Sequence, residues 1–123
     1  LTGVSTMAAS IAVSAVAILH LAFLVLQMFL WTKPAGRRIF GMSKQIAGQS
    51  ATLAANQGLY NCFIAAGVLW SQFAAQPLPD MTVFLLGCVI VAGIYGALTV
   101  RHTILFVQAV PGAIALIIVL TSG

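Results

Sequence analysis

The sequence predicts an all-α protein, a polytopic membrane protein built as a four-transmembrane-helix bundle, and three observations predict it. Charge is confined to short patches, with no charged residue in 1–32, 45–79, 81–100 or 103–123. Each run offers roughly the 20 mostly apolar residues that a helix needs to cross a hydrocarbon core. Composition agrees: 62% hydrophobic and 5% charged residues leave too little polar surface for a soluble domain of this size. Strand-like alternation is absent, and backbone groups in lipid must be satisfied within the segment, which selects helices.

The first crossing is expected from about Val4 to Trp31 and ends at Thr32-Lys33-Pro34, since proline disfavours helical geometry in the residue before it. The run opens Leu-Thr-Gly-Val with no basic leader and is too long for a signal-peptide core, so it is read as a mature helix. The second crossing, about 49–71, carries Trp70 at the interface opposite Trp31, and Gln76-Pro77-Leu78-Pro79-Asp80 breaks the chain after it. The third covers about 81–100 and the fourth 103–121. One continuous helix from Met81 to Thr121 would run roughly 60 Å and bury Arg101 at its centre, so a tight hairpin at Arg101-His102 is expected instead. The chain is thus read as a single transmembrane domain, 1–123.

Lys33, Arg37, Arg38 and Lys44 fall in the first loop and Arg101 in the third, whereas the second carries only Asp80. The positive-inside rule makes the basic side cytoplasmic and places both termini outside. A basic strip against anionic head groups accounts for the net charge of +4 without nucleic acid.

Polar residues inside apolar spans cost free energy unless partnered, so they mark packing contacts or a site. His20 and Gln27, seven residues apart, share one face of the first helix. Asn56, Gln57, Tyr60 and Asn61 cover an arc of about 140° on the second. Ala51, Ala55, Gly58, Cys62 and Ala66 form a ridge of small residues on its other face, so this helix should have protein or a pocket on both sides. Counting about 1.5 Å per residue from the interface markers puts Gln27, Asn56, Gln57, Tyr95 and Gln108 in one layer of the cytoplasmic half, with His20 and Tyr60 nearer the midplane. Pro111 removes a helix hydrogen bond and frees the Val107 carbonyl beside Gln108. Ala92-x-x-x-Gly96 is a small-residue packing signal.

Two readings of the layer stand side by side. The amides and hydroxyls glue helices together, or they line a cavity that opens to the cytoplasm. There Arg37, Arg38 and Arg101 would steer an anionic head group and the amides would orient it. Two histidines at different depths and one exposed acid give no metal-ligand set, and Cys62 and Cys88 are read as small buried hydrophobes. No cofactor fingerprint, phosphate loop or nucleophile-base arrangement occurs in the sequence.

The stretches Gln27-Met-Phe-Leu-Trp-Thr-Lys-Pro, Arg37-Arg-Ile-Phe-Gly, Ala54-Ala-Asn-Gln-Gly-Leu-Tyr-Asn, Ala92-Gly-Ile-Tyr-Gly-Ala-Leu-Thr and Val107-Gln-Ala-Val-Pro together resemble a family of small four-helix bacterial membrane proteins, the domain of unknown function 1304. The resemblance spans nearly the whole chain, and Asn56 to Asn61 is its most specific block. It implies a bacterial inner-membrane protein and lends no activity. That family commonly has a glutamate where this chain has Gln27, and a glycine where it has Cys62.

The function expected from these readings is the binding of a lipid or small amphiphile by Gln27, Asn56, Gln57, Tyr60, Asn61, Tyr95 and Gln108, with membrane lipids and further copies of the chain, or another membrane protein, as partners. An enzyme built on this plan would be similar, by architecture alone, to small four-helix membrane enzymes that bind glutathione between subunits. The alternatives are a minimal oligomeric transporter or channel lined by His20, Gln27, Asn56 and Asn61, and an accessory subunit of a membrane complex.

Overall fold

The computed structural model describes Gly3–Ser122, with side chains from Thr6 onward. Leu1 and Thr2, the start of the stretch read as leaderless, lie outside the described residues. The described residues are all-helical: α1 (Gly3–Met28), α2 (Pro34–Phe40), α3 (Lys44–Phe73), α4 (Pro79–Thr99), a π-helical turn (Leu105–Ala109) and α5 (Val110–Thr121). Four expected helices become five because the first loop is itself helical. Pro34 stands at the first position of α2, where its missing N–H costs nothing. Gly41 closes the helix in the left-handed region (φ 64°), and the Met42 N–H turns back to the Arg37 carbonyl at 2.9 Å. Arg37 and Arg38 fill the last turn, where the helix dipole favours cations.

Two stretches, Thr6–Met28 and Pro79–Thr99, are long and apolar enough to cross a bilayer by length and composition. α3 is longer than either, but Gln45, Gln49, Asn56, Gln57 and Asn61 dilute its apolar content. The last apolar stretch, Leu105–Thr121, is shorter. The chain does break at Arg101-His102, between α4 and the final helical segment.

The chain forms two compact units, His20–Ala65 and the combination of Leu1–Leu19 with Ala66–Gly123. In His20–Ala65, the end of α1 lies against α3. The Ser43 hydroxyl accepts from the Ile46 N–H at 3.1 Å and starts α3 before Gln49, the residue where the sequence placed it. Ala47, Ala54, Gly58, Asn61 and Ala65 form the buried seam of α3, at helical spacing. A Cβ on Gly58 would stand 2.6 Å from Met28 Cγ and 3.3 Å from the Leu24 carbonyl oxygen, so glycine sets how closely the two helices approach. α2 folds back onto the end of α1: Trp31 and Phe40 pack with ring centroids 4.8 Å apart, and Gly36 is buried against the Leu30 carbonyl, where a side chain would collide with backbone. The Trp31 indole N–H donates to Ser50 Oγ at 3.0 Å, which ties the turn after α1, a helix that ends at Met28 rather than at Trp31, to α3.

In the other unit, α4 packs along the π-helical turn and α5. Leu86, Val89, Gly93 and Ala97 are its buried face, meeting a face that includes Ala109, Gly112 and Ala115. The tight pair on α4 is therefore Gly93 and Ala97, one register on from Ala92 and Gly96. Ala92 is exposed, and Gly96 is half-buried against Ile104. Before Pro111 the chain widens into the π-helical turn, where the Val110 N–H reaches five residues back to the Leu105 carbonyl. A widened turn relieves the clash between a proline ring and the carbonyl four residues earlier.

The α3–α4 hairpin is closed by hydroxyls. Ser71 Oγ and Thr82 Oγ1, both buried, lie 2.7 Å apart, Ser71 Oγ also donates to the Val68 carbonyl at 3.0 Å, and the Leu78 N–H donates to the Ser71 carbonyl at 2.8 Å. Ser71→Ala leaves Thr82 without this partner and is expected to cost about 1–2 kcal/mol. Adding Thr82→Val should cost less than the sum of the single changes, because both members of the pair are then gone. Thermal unfolding of the wild type and the three variants in mild detergent checks this, and strict additivity would remove the pair as a unit of stability.

Candidate functional site

The amide stripe of α3 divides between two environments. Asn61 points inward, is 6% exposed, and donates from Nδ2 to Gln27 Oε1 on α1 at 2.6 Å. Gly58, less than one turn earlier, is the glycine that lets the helices approach closely enough for this bond. His20 is 1% exposed and meets Phe23 edge-on at 5.4 Å. Asn56, Gln57 and Tyr60 are exposed instead, and the Tyr60 ring meets Phe63 edge-on at 5.8 Å. The sequence arc of about 140° thus begins on the outer surface of α3 and ends in its packed seam.

Cations gather at the α1–α2 elbow. Arg38 is exposed and Arg37 half-buried, and the buried Arg37 Nε has no hydrogen-bond partner among the described residues. A buried guanidinium N–H without an acceptor is uncommon. Ser50 fixes the level of Trp31 on α3. Gln57 then lies about 10 Å, and Tyr60 about 15 Å, further along the helix from that level.

The other unit carries the remaining sequence-derived candidates. Tyr95 is exposed on α4, Gln108 is half-buried on the π-helical turn, and Arg101 and His102 are exposed where α4 ends. Ile94, Ala97, Leu98, His102, Leu105 and Phe106 line a shallow groove of about 250 Å³, and neither Tyr95 nor Gln108 is part of its lining. Cys62 and Cys88 are free thiols, both half-buried. Among the described residues no group of three or more His, Cys, Asp or Glu could hold a metal ion. Sequence reasoning missed the Trp31–Ser50 bond.

These features define a small all-helical protein with a part-buried amide pair, an outward-facing amide and phenol surface, and an arginine at a helix elbow whose Nε has no partner among the described residues. The chain belongs to the family described as "Protein of unknown function (DUF1304)", whose profile matches residues 14–120. It is similar to the uncharacterized protein YpaA of Lactococcus lactis subsp. lactis (strain IL1403), with 31% identity over 94 residues, covering 75% of this chain and 79% of the relative. No solved structure matches it.

Proposed function

We propose that this is an integral protein of the bacterial inner membrane, crossing four times with both termini outside the cytoplasm, which binds an anionic lipid or small amphiphile at its cytoplasmic side. The membrane reading is supported by how little of the apolar surface is used in packing. Only 28% of the apolar window in Thr6–Met28 and 22% of that in Pro79–Thr99 is buried, where the core helix of a water-soluble protein would be mostly covered. Phe84, Val91 and Leu98 on α4 and Ile11 and Ile18 on α1 all stand more than 60% exposed. Apolar surface of this extent calls for lipid or protein against it.

The ligand reading rests on the buried, partnerless Nε of Arg37. A phosphate or carboxylate at the elbow would accept from it, with Arg38 close in sequence to add charge. Gln57 and Tyr60, exposed about 10–15 Å further in, would hydrogen-bond the ester or amide groups of the same molecule, and its chains would lie along the apolar surface beside Leu53.

Native mass spectrometry of the protein extracted in mild detergent tests this. The expected result is a retained anionic lipid whose occupancy falls about ten-fold or more in Arg37→Gln, the loss of one charge-assisted hydrogen bond. Gln57→Leu with Tyr60→Phe should lower it further. A protein that carries no lipid, or carries it equally in all variants, would overturn the reading. Release of the protein from membranes by an alkaline carbonate wash would overturn the membrane assignment itself.

A further inference from the structure

The groove at the end of α4 is apolar along its length and polar at one end only. Its walls are Ile94, Ala97 and Leu98 on α4 and Leu105 and Phe106 on the π-helical turn, with His102 at the hairpin between them, around about 250 Å³. On the other side of the hairpin the chain is closed, because Gly96 lies against Ile104, roughly 160° round α4 from Ile94. The widened turn shapes the second wall. Its extra residue rotates Leu105 and Phe106 by about 100° from where an unbroken α-helix running back from α5 would place them. Both therefore face the groove beside Ile94 and Leu98. The polar end is also the basic end. Arg101, exposed like His102, precedes it in the hairpin, whereas the chain's one acid, Asp80, stands in the first turn of α4, roughly 30 Å away.

We propose that this groove holds one acyl chain of an anionic lipid from the cytoplasmic leaflet, with the lipid's phosphate at Arg101 and His102. It is a second lipid site, built on different residues from the Arg37 elbow, and it rests on the membrane reading above. Length, volume and charge select the occupant. From His102 to Ile94 the groove runs about 12 Å, against ~15 Å of hydrocarbon in one leaflet, half of a core ~30 Å thick. Its volume falls below the roughly 300–1,000 Å³ of pockets that enclose a whole ligand, so it suits a single chain laid along it while the rest of the molecule stays in the bilayer. A guanidinium and an imidazole at the mouth, with no carboxylate nearby, complement a phosphate and disfavour a cationic head group. Neither Tyr95 nor Gln108 contributes to the lining, so nothing polar interrupts the path of the chain beyond His102.

Photolabelling in phosphatidylcholine vesicles tests the site. The full chain is reconstituted with a small fraction of either phosphatidylglycerol or phosphatidylcholine that carries a diazirine midway along one acyl chain, and adducts are mapped by mass spectrometry. The phosphatidylglycerol probe should label Ile94, Leu98 and Phe106 above Tyr95 and Val110, which are exposed at similar depth outside the groove. It should also label the groove about five-fold more than the phosphatidylcholine probe, the preference that one basic residue near anionic lipid provides. Arg101→Gln with His102→Gln should abolish that preference, and Leu98→Trp, which fills the groove, should abolish groove labelling by both probes. Leu98 is 80% exposed and Arg101 and His102 are exposed, so these changes leave the packed face of α4 through Gly93 intact. Arg37→Gln should leave groove labelling unchanged. Equal labelling inside and outside the groove, or a phosphatidylglycerol preference that survives loss of both Arg101 and His102, would overturn the proposal. A groove without selective labelling in a chain that resists carbonate extraction and retains lipid through Arg37 overturns this site alone, whereas release by carbonate overturns the membrane reading beneath it.

Discussion

Replacing Gly93 by valine is expected to leave little folded protein. A Cβ at this position would stand 2.6 Å from the backbone nitrogen of Ala109, 2.8 Å from its Cβ and 2.9 Å from its Cα. Two of those atoms are backbone, in the π-helical turn, so no rotamer change relieves the overlap and α4 must move away from its neighbour. Overpacking costs about 1–3 kcal/mol where side chains can yield. A backbone collision along the main seam of its unit belongs at or above the top of that range. Two other glycines provide the scale. A Cβ on Gly112 meets the side chains of Val89 at 2.9 Å and Ile90 at 3.3 Å, which can reorient, so Gly112→Ala should be tolerated at moderate cost. Gly87 has nothing within 4 Å, and Gly87→Ala should be neutral or stabilising by about 0.5–1 kcal/mol through helix propensity. Thermal unfolding followed by circular dichroism in mild detergent gives the ranking. Equal midpoints for Gly93→Ala and Gly87→Ala would show that α4 does not meet the π-helical turn at Gly93.

The same contrast explains what the sequence could and could not reveal. Helical class and the break at Arg101-His102 follow from charge-free runs and the cost of burying an arginine, both of which are local. The helix in the first loop had its signature in Pro34 and Gly41, but Lys33, Arg37 and Arg38 between them read as a charged connection. The phase of α3 was harder. Small residues occur on several of its faces, so the ridge through Ala51, Ala55, Gly58, Cys62 and Ala66 and the seam through Ala47, Ala54, Gly58, Asn61 and Ala65 are nearly equal choices by periodicity. Only Gly58 is common to both. A helix with small and polar residues on both its buried and its exposed face has little amphipathic moment from which to read its orientation. For the same reason periodicity groups the amides as one stripe, whereas Asn61 belongs to the buried face and Asn56 to the exposed one. The π-helical turn was out of reach: Pro111 signals a disturbed carbonyl, but not whether the chain kinks, breaks or widens.

Removing both members of the Gln27–Asn61 pair should destabilise the protein by less than the sum of the two single removals. Asn61 is nearly inaccessible, and Nδ2 donates to Gln27 Oε1 at 2.6 Å. Asn61→Leu strips the half-buried Gln27 oxygen of this donor, at a cost of about 1–3 kcal/mol. Gln27→Leu leaves the Asn61 N–H in the same position. With both leucines in place no amide is stranded, and part of the loss should be recovered through apolar contact across the Gly58 approach. The coupling expected from the cycle is about 0.6–1.7 kcal/mol, the span seen for polar contacts between membrane helices, and greater only if the amides join a wider network. Zero coupling would mean that the two side chains do not share a bond. Lipid occupancy read on the same four proteins separates structure from recognition. The bond lies in the packed seam and Gln57 and Tyr60 on the surface. On the proposed lipid reading, the double-leucine protein should therefore retain lipid as wild type does, even though both amides of the pair are gone.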